Sequence, residues 1–123
     1  MARKKILVVD DSGTARMIEK MALGRSSYDV VQATNGAEAV TVAKKELPDL
    51  ILMDVMMPQM DGFEACRSIR AQIETKTIPV IMVTTRGEPI NVETGYSAGC
   101  NDYVTKPVNT LELLAKVKSL IGE

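Results

Sequence analysis

Short, unbroken apolar runs alternate with amphipathic stretches along this chain, and the alternation predicts strand and helix in turn. Lys5–Asp10 (KILVVD) reads as a buried strand. Ser12, a good N-cap, opens a helix to about Leu23 with Ala15, Ile18, Met21 and Ala22 inward, and Gly24 ends it. Tyr28–Ala33 is a second strand. Asn35 and Glu38 have the three-residue spacing of a capping box for a helix over Gly36–Glu46, which Pro48 stops. In Leu50–Gly62 (LILMDVMMPQMDG) four consecutive apolar residues form a third strand that ends in Asp54 and breaks at Pro58. Asp61 and Glu64 repeat the capping spacing for a helix to about Ile73, and Pro79–Thr84 (PVIMVT) is a fourth buried strand. Pro89–Ala98 is the weakest helical stretch, because Pro89, Asn91, Val92, Thr94 and Gly95 all lower its propensity and its stability has to come from packing. Asn101–Thr105 is a short fifth strand. Asn109 and Glu112 give a third capping spacing before a last helix, with Leu113, Leu114, Val117, Leu120 and Ile121 on one stripe.

Strands that are apolar on both faces need helices above and below them, and parallel neighbours need right-handed helical crossovers. The pattern therefore predicts an α/β fold, a doubly wound parallel sheet. Such sheets bind ligands at the carboxyl ends of their strands, near the point where the strand order reverses. Those ends carry specific chemistry here: Asp10 and Asp11 after the first strand, Asp54 at the end of the third, Thr84 and Thr85 at the fourth, Lys106 after the fifth. Taken singly, an acidic pair starts a helix, a Thr suits a strand and a Lys is solvated. At one edge of one sheet they form a site.

Charge decides what that site can do. Each close pair of carboxylates costs about 4 kcal/mol at an effective dielectric of 20, so protons or a cation must be present. An oxygen-only, incomplete ligand shell suits Mg²⁺, which leaves positions for phosphate oxygens. Asp54 would then be a nucleophile, with Lys106 and the Thr84 hydroxyl placed for the oxygens of a phosphoryl group. Everything needed for an aspartyl phosphate is present, while nothing obvious recognises a substrate body; that favours a switch over a metabolic enzyme.

Composition narrows the classes further. The chain has 123 residues, room for one domain, with 46% hydrophobic and 25% charged residues, a globular balance. A net charge of −1 gives no reason to expect nucleic acid or an anionic membrane as a partner. No apolar run reaches membrane-spanning length and the first apolar run is too short for a signal peptide, so a cytoplasmic protein is expected. Cys66 and Cys100 lack metal-ligand spacing and are expected to be reduced and buried. The absence of histidine removes histidine-based triads and most zinc catalysis, and places any phosphohistidine on another protein.

These residues resemble the receiver domains of two-component response regulators, whose best-known members are the single-domain chemotaxis regulators. The resemblance covers the whole chain: the acidic pair in VVDDS, the acceptor in LMDVMMPQMDG, the Thr after PVIMV, and the aromatic and Lys-Pro in DYVTKP all fall at the family's spacings. It implies a flavodoxin-like (βα)5 sandwich with strand order 2-1-3-4-5 and a single receiver domain over residues 1–123. Asp10, Asp11, Asp54 and the backbone carbonyl of Met56 would hold Mg²⁺; Asp54 would be the phosphoacceptor. Thr84 and Tyr103 would form the conformational relay, Lys106 would contact the phosphoryl group, and Lys106-Pro107 would be a cis peptide. Met56 and Arg86 occupy positions that in this family flank the route of the attacking water, so slow loss of the phosphoryl group is expected.

Other aspartyl or flavodoxin-like classes fit less well. A haloacid-dehalogenase-type, Mg²⁺-dependent phosphatase needs a second Asp two residues after the first, where this chain has Met56. An electron carrier would need a phosphate-binding loop and flanking aromatics for its flavin, and a dinucleotide-binding domain needs GxGxxG where this chain has DDSGTA. The expected partners are a sensor histidine kinase or phosphotransfer protein as phosphodonor and a separate output protein. Phosphorylation would repack the face formed by the Pro89–Ala98 helix, the fifth strand and the last helix. With Met1 at the start and Glu123 at the end the chain reads as a receiver without an output module, the alternative being a fragment of a larger multidomain regulator.

Overall fold

Each predicted apolar run becomes a strand and each capping signal starts a helix. The order is β1 (Lys5–Val9), α1 (Gly13–Gly24), β2 (Asp29–Ala33), α2 (Gly36–Glu46), β3 (Leu50–Asp54), α3 (Gly62–Ala71), β4 (Val80–Thr84), α4 (Pro89–Ala98), β5 (Asp102–Thr105) and α5 (Thr110–Ile121). This computed structural model describes residues 3–24, 28–85 and 89–122. All strand pairs are parallel and the sheet order is β2-β1-β3-β4-β5, a flavodoxin-like sandwich.

The continuous apolar runs are explained by two cores, one on each face of the sheet. Alternate strand residues Leu7, Val9, Ile51, Met53, Val80 and Met82 meet Ala39 and Ala43 of α2 and Ala65 and Ile69 of α3. The free thiols Cys66 and Cys100 lie in the same layer. On the opposite face Ile6, Val8, Leu50, Leu52, Ile81 and Val83 meet Leu23 of α1 and Leu113 and Val117 of α5. At all three capping spacings the N-cap half of the box forms, while Glu38 accepts from the N–H of Thr34 and not from that of Asn35. The side chains of Asn35, Asp61 and Asn109 accept from the backbone N–H of Glu38, Glu64 and Glu112, satisfying donors that a helix start leaves open. Ser12 Oγ accepts from Ala15 N at 3.2 Å and begins α1 in the same way.

Two sequence expectations need correction. On α1 the inward face is Glu19, Ala22 and Leu23, with Ala15 half-buried, whereas Ile18 and Met21 are 52% and 69% exposed. The helix is rotated by about one residue from the expected stripe, which turns a carboxylate inward in place of Ile18. On α3 the helix stops at Ala71, not near Ile73, which is 79% exposed. The buried Thr75 hydroxyl donates to the Ile69 carbonyl at 2.7 Å and turns the chain away from the helix axis. Before that turn Arg70 holds α3 to the neighbouring strand starts, donating to the carbonyls of Gly99 and Ile78 at 2.9 and 2.7 Å and to Asn101 Oδ1 at 2.8 Å.

The register brings the functional ends together. Val9 pairs with Met53, Asp54 with Val83 and Thr84 with Thr105, so the residues that follow these strands emerge at one edge. Gly62 fixes the level of α3 against that edge. Its N–H donates to the Val55 carbonyl at 3.0 Å, and a Cβ at this position would overlap the Asp54 carbonyl oxygen and press on Val55 Cα. Because the obstacle is backbone, Gly62→Ala is expected to lower stability by about 1–3 kcal/mol in urea denaturation, the usual cost of overpacking. An unchanged denaturation midpoint would show that α3 can slide away from β3.

Candidate functional site

β1 and β3 lie side by side at the centre of the sheet, and their carboxyl ends deliver Asp10 and Asp54 into the interior, 0% and 3% exposed. Asp11, one residue on, remains exposed. The three carboxylates each offer an oxygen within 4.8 Å of the others. Asp10 is fixed from several sides: Oδ1 accepts from Ser12 N at 2.9 Å, its carbonyl accepts from Arg16 Nη1 at 2.7 Å, and its N–H donates to the Ala33 carbonyl at 3.2 Å.

Lys106 crosses this acidic edge from the far side. Its backbone N–H donates to the Thr84 carbonyl at 2.7 Å, which sets where the side chain starts. Nζ then lies 2.9 Å from Asp10 Oδ2 and 3.3 Å from Asp54 Oδ1. The following peptide, Lys106-Pro107, is cis. Burial pushes the Asp54 carboxyl up to about 6, with Asp10 adding to the rise and Lys106 opposing it. For Lys106 burial pulls downward, but the hydrogen bonds and charges of Asp10 and Asp54 outweigh it and leave the ammonium above its ordinary value. Thr84, 4% exposed, ends β4 beside them.

Tyr103 sits one strand outward, half-buried against the core layer that includes Met82 and Ala98. Two neighbours hold it through three contacts. The Tyr96 ring of α4 meets it edge-on at 6.3 Å and 85°, Lys116 Nζ of α5 lies 5.1 Å from its centroid, and the same ammonium donates to the Tyr103 carbonyl at 2.7 Å. Met56 is 69% exposed, just past β3. Arg86 lies outside the described residues.

The structure thus brings Asp10, Asp11, Asp54 and Lys106 into one cluster with Thr84 at its border, and places Tyr103 apart from it, between α4 and α5. An all-oxygen set of three convergent carboxylates is what a hard divalent cation selects, so these residues fit Mg²⁺. Sequence reasoning missed three participants. Lys116 and Tyr96 give no signal, since their meeting with Tyr103 is tertiary. Glu19 does have a signal, because a stripe through Ala15, Ala22 and Leu23 passes over it. Its side chain is 1% exposed and Oε1 has no hydrogen-bond partner. Burial, then Asp10 and Asp54 against an opposing Lys106, pushes this carboxyl up to about 8.

Comparison with known proteins places the same features in one family. The profile of the response regulator receiver domain matches residues 6–118. ResD of Bacillus subtilis, a transcriptional regulatory protein, is 44% identical over 117 residues, covering 95% of this chain and 48% of ResD. The chain thus spans about half the length of the curated relatives it matches. Chemotaxis protein CheY4 of Vibrio cholerae superposes with a TM-score of 0.91 at 35% identity, covering 97% of this chain and 99% of that one. The receiver domain of the sensor histidine kinase PA1611 from Pseudomonas aeruginosa, with magnesium in its active-site cleft, gives 0.91 at 34% identity, covering 99% and 100%. No helix among the described residues is long and apolar enough to cross a membrane.

The raised carboxyls set a pH dependence in the metal-free protein. Glu19 rises from 4.5 to about 8 and Asp54 from 3.8 to about 6, so between these limits the folded state binds more protons than the unfolded one. Stability contributed by the two groups therefore falls as pH rises from about 4 to about 8. Glu19→Leu is expected to be more stable than the parent chain, by a margin that grows with pH across about 4.5 to 8 in chemical denaturation. A margin independent of pH would refute the inward, uncompensated Glu19.

Proposed function

The chain belongs to the response regulator receiver domain family, and from that premise we propose that it is a phosphorylation switch of a two-component pathway in which Asp54 accepts the phosphoryl group. The carrying observation is the convergence of three carboxylates and one ammonium at the carboxyl edge of the sheet, with Lys106 2.9 Å from Asp10 and 3.3 Å from Asp54. Receivers are signalling proteins, and this reading gives the chain no catalysis beyond gain and loss of its own phosphoryl group. The phosphodonor is a sensor histidine kinase or phosphotransfer protein, the compartment is the cytoplasm, and residues 1–123 act as one receiver domain that signals to an output partner.

Asp10, Asp11, Asp54 and the Met56 carbonyl would hold Mg²⁺. Bound there, the ion would neutralise the carboxylates and favour phosphoryl oxygens at its open positions. The chain's own residues do the rest. An Asp54 carboxylate oxygen attacks the phosphorus while the bond to the donor nitrogen breaks, its electron pair staying on the donor imidazole. Lys106 leaves its carboxylate partners for a phosphoryl oxygen, and the Thr84 hydroxyl donates to another. Met56 is apolar and orients no water toward the acyl phosphate, and Arg86 would hold phosphoryl oxygens without acting as a base, so turnover is slow.

Output follows from the neighbourhood of Tyr103. Thr84, drawn toward the phosphoryl group, vacates space beside β5, and the Tyr103 ring turns inward, leaving Tyr96 and Lys116 to rearrange. The face built from α4, β5 and α5 then changes what it binds. Shifting such an equilibrium from about 1:99 to 99:1 takes roughly 5.5 kcal/mol of differential stabilisation, which charge-assisted contacts to Thr84 and Lys106 can supply between them.

Two measurements test this. Acetyl phosphate with Mg²⁺ is expected to label the protein once, and Asp54→Asn or excess chelator to abolish labelling; persistence of the label in either case rejects Asp54 as acceptor. Beryllofluoride is expected to change amide hydrogen exchange across α4 and β5, and Thr84→Ala to diminish that change. Equal changes with and without the Thr84 hydroxyl would remove it from the relay.

A further inference from the structure

Beneath the acidic edge, between α1 and the segment after β5, lies a cavity of ≈ 120 Å³ lined by Ala15, Ile18, Glu19, Lys106, Pro107 and Val108. Four of the six walls are apolar. The two that are not carry opposite charge types, and only one of them is satisfied: Lys106 donates to Asp10 and pairs with Asp54, while Glu19 Oε1 is buried without a partner.

The satisfied state of Lys106 conflicts with the next event at this edge. Asp10 Oδ2 and Asp54 Oδ1, which now receive the ammonium, belong to the same carboxylates that a divalent cation and a phosphoryl group require. An ammonium displaced from them, with its side chain only 24% exposed, is favoured by a second acceptor on the protein side. A lysine can supply this movement, since its donors rotate on a flexible four-carbon stem. On the cavity side of that stem the available acceptor is Glu19, whose ionisation responds to Lys106, Asp10 and Asp54 alike.

We propose that Glu19 is a positioning residue for Lys106, the acceptor that takes up its ammonium when Asp10 is drawn to a divalent cation. The proposal rests on the reading that Asp10, Asp11 and Asp54 hold that cation. It also gives a role to an inward carboxylate whose ionisation burial opposes. Until phosphorylation, Glu19 parks the ammonium beside the site; afterwards the phosphoryl oxygens reclaim it.

A double-mutant cycle read by calorimetric titration with Mg²⁺ alone tests this. Glu19→Leu is expected to weaken Mg²⁺ binding roughly threefold or more when Lys106 is present, and to leave it unchanged in Lys106→Ala, where there is no ammonium to move. Glu19→Gln, which keeps the shape but cannot ionise when the ammonium arrives, is run through the same cycle and is expected to weaken binding only in the chain that retains Lys106; it carries the test if the leucine variant fails to fold. Equal weakening in both backgrounds marks a direct charge effect and overturns the proposal, as does unchanged affinity in the parent background. If the parent chain takes up no Mg²⁺, the metal reading fails first and the proposal falls with it.

Discussion

Everything at the working edge of this molecule depends on one pairing, the Lys106 ammonium set between Asp10 and Asp54. Parallel strands force their carboxyl ends into one plane, and β1 and β3 each end there in a carboxylate whose repulsion the apolar interior magnifies. A cation delivered from beyond β5 relieves it, held in position by the backbone bond from Lys106 to Thr84. The same contact ties the charge balance of the site to the outer half of the sheet. Moving the ammonium is then a change in what holds β4 and β5 to the centre.

Most of the architecture was legible because β1, β3 and β4 are apolar on both faces and the starts of α1, α2, α3 and α5 carry a side-chain cap. Leu50–Asp54 could be nothing but a central strand, and Asn35, Asp61 and Asn109 mark three helix starts to the residue. The candidate site was legible for the same reason: once strands are placed, their ends are placed. The errors fall where two local solutions compete. On α1 both Ile18 with Met21 and Ala22 with Leu23 offer an inward stripe, and Glu19 argues for the first by its charge. The structure takes the second, with Ala22 and Leu23 buried and Glu19 carried inward beside them. At the end of α3, the stop comes from the Thr75 hydroxyl reaching the Ile69 carbonyl, a contact that no propensity scale contains.

The surroundings of Tyr103 lie beyond sequence reading altogether, since Tyr96, Tyr103 and Lys116 come from three elements. Their arrangement nonetheless gives physical content to a movable face. An edge-on ring pair and a cation over a ring are each worth only about 0.5–1.5 kcal/mol, so no single contact locks the tyrosine. α4, with the least helical sequence in the chain, is the element that can yield.

The two thiols buried between the sheet and α3 carry a consequence for how selective the molecule is toward chemical signals. Burial pushes Cys66 upward and Cys100 up to about 11. At neutral pH a thiol of that kind is ionised to only about one part in ten thousand, and the thiolate is the form that peroxides and electrophiles attack. The Cys100 sulfur is therefore a poor target for oxidants that need a thiolate. Burial in the layer under α3 thus keeps both sulfurs as packing atoms of the core.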